Sequence, residues 1–176
     1  VTNYIKPNLG IFGLQNIVVN NGVRETKCNV TVGHLDIKFE VPSLSENYYY
    51  AFEAKRLDKN KRKQQYYLDG GIQRFTDRVY YPETNTIIAG MIGFVEIDLK
   101  VTPKGHVSLD SIKESLNDRI RASKSIITTL QLTNYNIFDI KHSFINDFKH
   151  MYLSKHTRTE DGAELNMANA IWVTRI

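Results

Sequence analysis

The chain has 176 residues, of which 41% are hydrophobic and 24% charged, with a formal net charge of +4; this is enough for one domain with a true core. One cysteine, Cys28, excludes an internal disulfide framework and a cysteine-built zinc site. No apolar run approaches the length of a membrane-spanning helix, and no secretory leader is visible, so a soluble domain in a reducing cytoplasm is the expectation, without a membrane partner. The chain opens on Val1 rather than Met, which suggests a piece of a longer protein with an N-terminal element missing.

Residues 1–24 lack Asp and Glu and read as an irregular start that ends in a turn at Asn21-Gly22. From Lys27 to Val41 apolar and polar residues alternate: Cys28, Val30 and Val32, then Leu35, Ile37, Phe39 and Val41. Period two predicts half-buried strand, with Gly33 as a turn or bulge between two strands and Cys28 as a packing residue. Asp36 falls on the polar face. After the loop at Pro42–Asn47, Tyr48 to Leu57 reads as the next strand, returning beside the first. Tyr50, Phe52 and Ala54 alternate there with Ala51, Glu53 and Lys55, so Glu53 and Lys55 share one face.

Between Lys55 and Lys63 six of nine residues are Lys or Arg. A solvated loop and a phosphate-contacting loop both fit; the second gains affinity by releasing counterions from a polyanion. Residues 64–80 have helical spacing, with Leu68, Ile72, Phe75 and Val79 on one stripe. Gly70 and Gly71 inside it cost roughly 1 kcal/mol each relative to Ala, and close approach of a sheet or a sugar-phosphate backbone would explain them. Thr86 to Leu99 reads as a buried strand and residues 109–130 as a helix with a Ser111–Glu114 capping box. Tyr135–Phe144, Tyr152–Arg158 and Ala170–Arg175 are strand candidates. The order β-β-β-α-β-α-β-β-β predicts a single α/β domain, residues 1–176, with a mixed central sheet flanked by helices.

The chemistry concentrates in Asp36 and Glu53-Ala54-Lys55. Two carboxylates supply hard oxygen ligands for a cation such as Mg²⁺, which needs few protein donors, and an amine beside them can orient water or offset phosphate charge. Glu53 and Lys55 also fit a surface ion pair. His142, His150 and His156 lack partners at metal-ligand spacing, and the aromatics around Tyr49 and Tyr66 fit either packing or base stacking.

Asp36, an interval of sixteen residues and then Glu53-Ala54-Lys55 resemble the PD-(D/E)xK, or restriction-endonuclease-like, nuclease superfamily, with Leu35 where the family's proline stands. Gly71-Ile72-Gln73-Arg74-Phe75 is similar to a pattern of some bacterial members. The resemblance implies a restriction-endonuclease-like core and a Mg²⁺- or Mn²⁺-dependent endodeoxyribonuclease, in a restriction or phage-defence setting. Asp36, Glu53 and Lys55 would be catalytic. Asp36, Glu53 and the Ala54 carbonyl would hold metal, with Glu25, the one acid before Asp36, as candidate for the family's additional upstream carboxylate. Arg56, Lys59, Lys61, Arg62, Lys63, Gln73 and Arg74 would contact nucleic acid. DNA is the implied substrate with RNA left open, and a homodimer or a larger defence complex are the implied assemblies. A non-catalytic nucleic-acid-binding or protein-interaction domain on the same fold is the alternative.

Overall fold

The computed structural model describes residues 17–40, 49–58, 60–82, 86–97, 108–134 and 150–175. They form an α/β structure around one seven-stranded mixed sheet, in the order β1-β2-β3-β4-β7-β6-β5. The strands are β1 (Val18–Lys27), β2 (Val30–Glu40), β3 (Tyr49–Arg56), β4 (Ile88–Ile97), β5 (Ile127–Asn134), β6 (Met151–Thr157) and β7 (Glu164–Arg175). β3, β4 and β7 are mutually parallel, and the outer strands pair antiparallel. Parallel β3 and β4 need a crossover, which is helical: α1 (Lys61–Tyr67) runs through a π-helical turn (Leu68–Ile72) into α2 (Gln73–Thr76). A second helix, α3 (Leu109–Ala122), lies beside α1, where Ser115 and Arg119 both donate to Gln64 Oε1 at 2.7 and 3.0 Å.

Several boundaries differ from the sequence reading. Asn21-Gly22 is no turn; both residues lie inside β1, where Gly22 takes φ +60°. The hairpin turn is Cys28-Asn29, with φ of 50° and 64°. Two successive positive φ values are the geometry of a two-residue turn that matches strand twist, so Cys28 is exposed at the turn rather than packed. β2 continues through Gly33, and the irregularity is a register shift between Glu25 and Thr26 of β1, opposite Val32. The crossover helix starts at Lys61, capped by Asn60, whose side chain accepts from the Arg62 amide at 2.8 Å. α3 ends at Ala122 instead of continuing to residue 130, and its cap is Ser108, which accepts from the Ser111 amide. Ile127 therefore belongs to β5 and is exposed. β7 begins at Glu164, six residues before the expected Ala170. The candidate strand at 135–144 and the loop at 42–47 lie outside the described residues.

The core fills the sheet face beneath the helices: Met91 and Val95 of β4, Leu165, Met167 and Ile171 of β7, and Tyr67, Leu68, Ile72 and Phe75 from the crossover. The expected stripe is thus real at Leu68, Ile72 and Phe75. The paired glycines serve close packing. A Cβ on Gly71 would sit 2.3 Å from Met91 Cε, and one on Gly70 would sit 2.8 Å from the Tyr66 ring. On the sheet's other face the Phe52 ring lies across Gly90 of the neighbouring strand, where a Cβ would meet Cδ1 at 2.1 Å. Gly90→Ala is therefore expected to lower stability by about 1–3 kcal/mol through overpacking, read as a lower urea midpoint at unchanged m.

A chain of polar side chains crosses the core. Tyr67 donates to Asn169 Oδ1, Asn169 Nδ2 donates to Ser154 Oγ, and His156 bridges Ser154 and Thr128 at 2.8 and 2.9 Å. Burial pulls His156 down to about 4 from 6.5. The unfolded chain therefore takes up this proton first as pH falls, so the contribution of His156 to stability is complete above about 6.5 and is lost down to about 4. The difference corresponds to about 3 kcal/mol. Urea titrations across that window should show wild type losing more stability than His156→Gln by about this amount; equal losses would show that the ring is protonated in the folded state.

Candidate active site

β2 and β3 pair over only four positions, from Glu40↔Tyr49 to Ile37↔Phe52, although both strands continue further. Asp36 is the first residue past the last pair. The Leu57 amide donates to the Phe94 carbonyl at 2.7 Å, so odd-numbered residues of β3 turn their backbone groups to β4. Even-numbered residues, Ala54 among them, turn N–H and C=O together towards β2. With the ladder ended, the Ala54 amide donates instead to Asp36 Oδ2 at 2.7 Å. The Ala54 carbonyl faces the same gap. The expected neighbourhood of Asp36 and the Glu53-Ala54-Lys55 strand is therefore present, held by a side chain rather than a ladder bond.

Glu53 and Lys55 share one face, as the alternation requires, but it is the face beneath the crossover helix. Glu53 is 3% and Lys55 9% exposed, whereas Tyr50 on the opposite face is 39% exposed. Asp36 itself is exposed. The Lys55 ammonium contacts Glu53 Oε1, and Glu53 Oε2 is buried without a hydrogen-bond partner. Burial pushes the Glu53 carboxyl above the usual carboxylate range; the bond and charge of Lys55 pull it down, the Asp36 charge pushes it up, and the Tyr80 hydroxyl pulls it down least.

Tyr80 belongs to the site although no sequence pattern marks it. Its hydroxyl accepts from Arg74 Nη1 and donates to the His34 carbonyl, both at 3.0 Å. Its ring packs where a Cβ on Gly33 would lie, 3.0 Å away. Tyr80 thus fixes the stretch of β2 that has left the ladder, two residues before Asp36. Arg74 faces the site: the Tyr80 bond raises its pKa most, burial opposes this, and the charge of Glu53 adds to the rise.

Other expected site residues lie elsewhere. Glu25 is buried against the Tyr49 hydroxyl, and burial raises its carboxyl, with Lys38, Glu40 and Tyr81 as further influences. It does not join Asp36 and Glu53, and no group of three His, Cys, Asp or Glu residues suited to a metal occurs among the described residues. Gln73 turns away, donating to Asp77 at 3.0 Å and accepting from Ser125 at 3.3 Å. Arg56, Arg62 and Lys63 line a cleft of about 600 Å³ beside Ala54 and Lys55. Lys63 is paired with Asp58 at 2.6 Å, Lys61 is exposed at the start of α1, and Lys59 lies outside the described residues. The basic run is therefore the end of β3 and the first turn of α1, joined by a short connection.

No known protein family, curated protein or solved structure matches this chain. What the fold defines is an α/β protein with a seven-stranded mixed sheet and helices packed on it.

Proposed function

We propose that this chain is a metal-dependent endonuclease domain on a restriction-endonuclease-like core, hydrolysing phosphodiester bonds in DNA. The observation that carries the reading is the meeting of Asp36 with the Ala54 amide where β2 and β3 part, beside the buried Glu53–Lys55 pair. The donor set suits a hard cation: Asp36, the Ala54 carbonyl and the unpartnered Glu53 Oε2 are all oxygen. Mg²⁺ or Mn²⁺ bound by them would supply positive charge to the phosphoryl oxygens and acidify water.

In hydrolysis, water adds at phosphorus, one P–O bond to the chain breaks, and the released oxygen takes a proton. Lys55, held by Glu53, orients the attacking water and offsets phosphate charge. Arg74, held by Tyr80, adds a second positive charge. Arg56, Arg62 and Lys63 carry the flanking phosphates, an interaction that weakens with salt.

The Glu53–Lys55 contact also favours a second reading, a non-catalytic nucleic-acid-binding domain in which the ammonium takes the place of a cation. Plasmid, linear duplex, single-stranded DNA and RNA incubated with Mg²⁺ or Mn²⁺ separate the two. Cleavage that EDTA abolishes is expected, with Mn²⁺ binding visible by calorimetry. DNA binding without cleavage of any substrate and without Mn²⁺ binding would leave the second reading.

A further inference from the structure

The cleft beside Lys55 has nucleotide dimensions, about 600 Å³. Its walls carry Arg56, Arg62 and Lys63, and its aromatic member is Tyr66. Tyr66 is 56% exposed, so its ring face is open to the cleft. Its position is built: Gly70, one helical turn on, leaves room for the ring to lie along the helix, since a Cβ there would stand 2.8–3.1 Å from three ring carbons. That placement sets the ring 5.2 Å from the Lys55 ammonium, beside the candidate reactive pair. On the same rim Gln65 donates to Asp69 at 2.8 Å and accepts from Arg119 at 3.1 Å, which holds that wall of the cleft in place.

We propose that this cleft holds one unpaired nucleotide next to the phosphate to be cut, with Tyr66 stacking on its base. The substrate class is then a strand with single-stranded character, such as a single strand, a frayed end or a flap, rather than continuous duplex. A duplex keeps its bases stacked on one another and offers the cleft only phosphates. An unpaired base offers a π-face, and stacking on an aromatic side chain among cations is how single strands are held without regard to sequence. The inference rests on the nuclease reading for its site, but its binding half stands without catalysis.

The test uses one DNA sequence as single strand, blunt duplex and splayed duplex, with the matching RNA strand as a fourth arm. Binding is read by anisotropy in EDTA, and cleavage in Mn²⁺. Single strand and splayed duplex should be bound and cut at least about tenfold better than blunt duplex, and Tyr66→Ala should erase about tenfold of single-strand affinity while Tyr66→Phe keeps it. Duplex binding should be the same in all three proteins. Equal handling of blunt duplex and single strand, or an equal loss on both in Tyr66→Ala, overturns the inference and leaves the nuclease reading intact. Tyr66-dependent single-strand binding without any cleavage supports the pocket and overturns the nuclease reading instead. A stronger RNA arm with the same Tyr66 dependence keeps the pocket and changes the sugar.

Discussion

Asp36→Asn is expected to reduce metal-dependent cleavage by on the order of 10²-fold or more while leaving the fold in place, since even partners of metal ligands are worth 10–100-fold in metal affinity or activity. The variant is chosen for what it retains. The Asn side-chain oxygen still accepts from the Ala54 amide, which has no β2 ladder partner and relies on this one acceptor. What disappears is the charge. Thermal unfolding should therefore change by no more than about 1 kcal/mol, the net worth of one such bond, while Mn²⁺ affinity falls. The electrostatic consequence has a definite sign. The Asp36 charge is one of the influences that raise the Glu53 carboxyl. Without it, Glu53 ionises at lower pH, and the acid limb of any residual activity should move to lower pH. Undiminished cleavage by Asp36→Asn would remove Asp36 from the reaction and with it the central observation behind the nuclease reading.

The parts of this site that sequence reveals are those set by periodicity. Alternation at Leu35, Ile37 and Phe39, and again at Tyr49 to Arg56, located two strands and the shared face of Glu53 and Lys55. It does not say which face is covered. Tyr50 and Phe52 look like the inward set because aromatics favour cores, but the crossover helix packs on the other side and buries the charged pair. That choice depends on the handedness of a β-α-β connection, which no strand's own residues encode. The overlong helix at 109–130 has a local cause: Ile127 continues the helical stripe of Ile112, Leu116 and Ile120, while the β-branched run Ile126 to Thr129 supplies strand preference that pairing with β6 realises. Cys28 followed the alternation of its neighbours but sits at a turn whose backbone is set by strand twist. Tyr80 had no signal at all, because its work is done on a backbone carbonyl 46 residues away.

The second large effect concerns stability, and it follows from burying Glu53 and Lys55 together. Removing one member of a buried ion pair typically costs about 3–5 kcal/mol because the other is left charged without a partner. Lys55→Ala should show such a loss near neutral pH, where Glu53 is asked to stay ionised at 3% exposure. The loss should depend on pH in a particular direction. Lys55 supplies the two largest influences that lower the Glu53 carboxyl, so in the variant that group rises still further above its unfolded value. A raised folded pKa gives stability that is complete below the unfolded value and is lost as pH rises through the folded one. Lys55→Ala should therefore come closest to wild type in mild acid and fall away towards neutrality. Adding Glu53→Gln removes the stranded charge, so the double variant should be more stable at neutral pH than Lys55→Ala alone, a coupling that a double-mutant cycle measures directly. The His156 effect is common to all members of the cycle and cancels. Additive losses would mean that the two groups titrate independently, and that the ammonium is free to meet phosphate without first leaving Glu53. A strong coupling means the reverse: Lys55 must exchange part of its hold on Glu53 as substrate arrives, and the same pair that stabilises the empty fold then sets the pH at which the site can act.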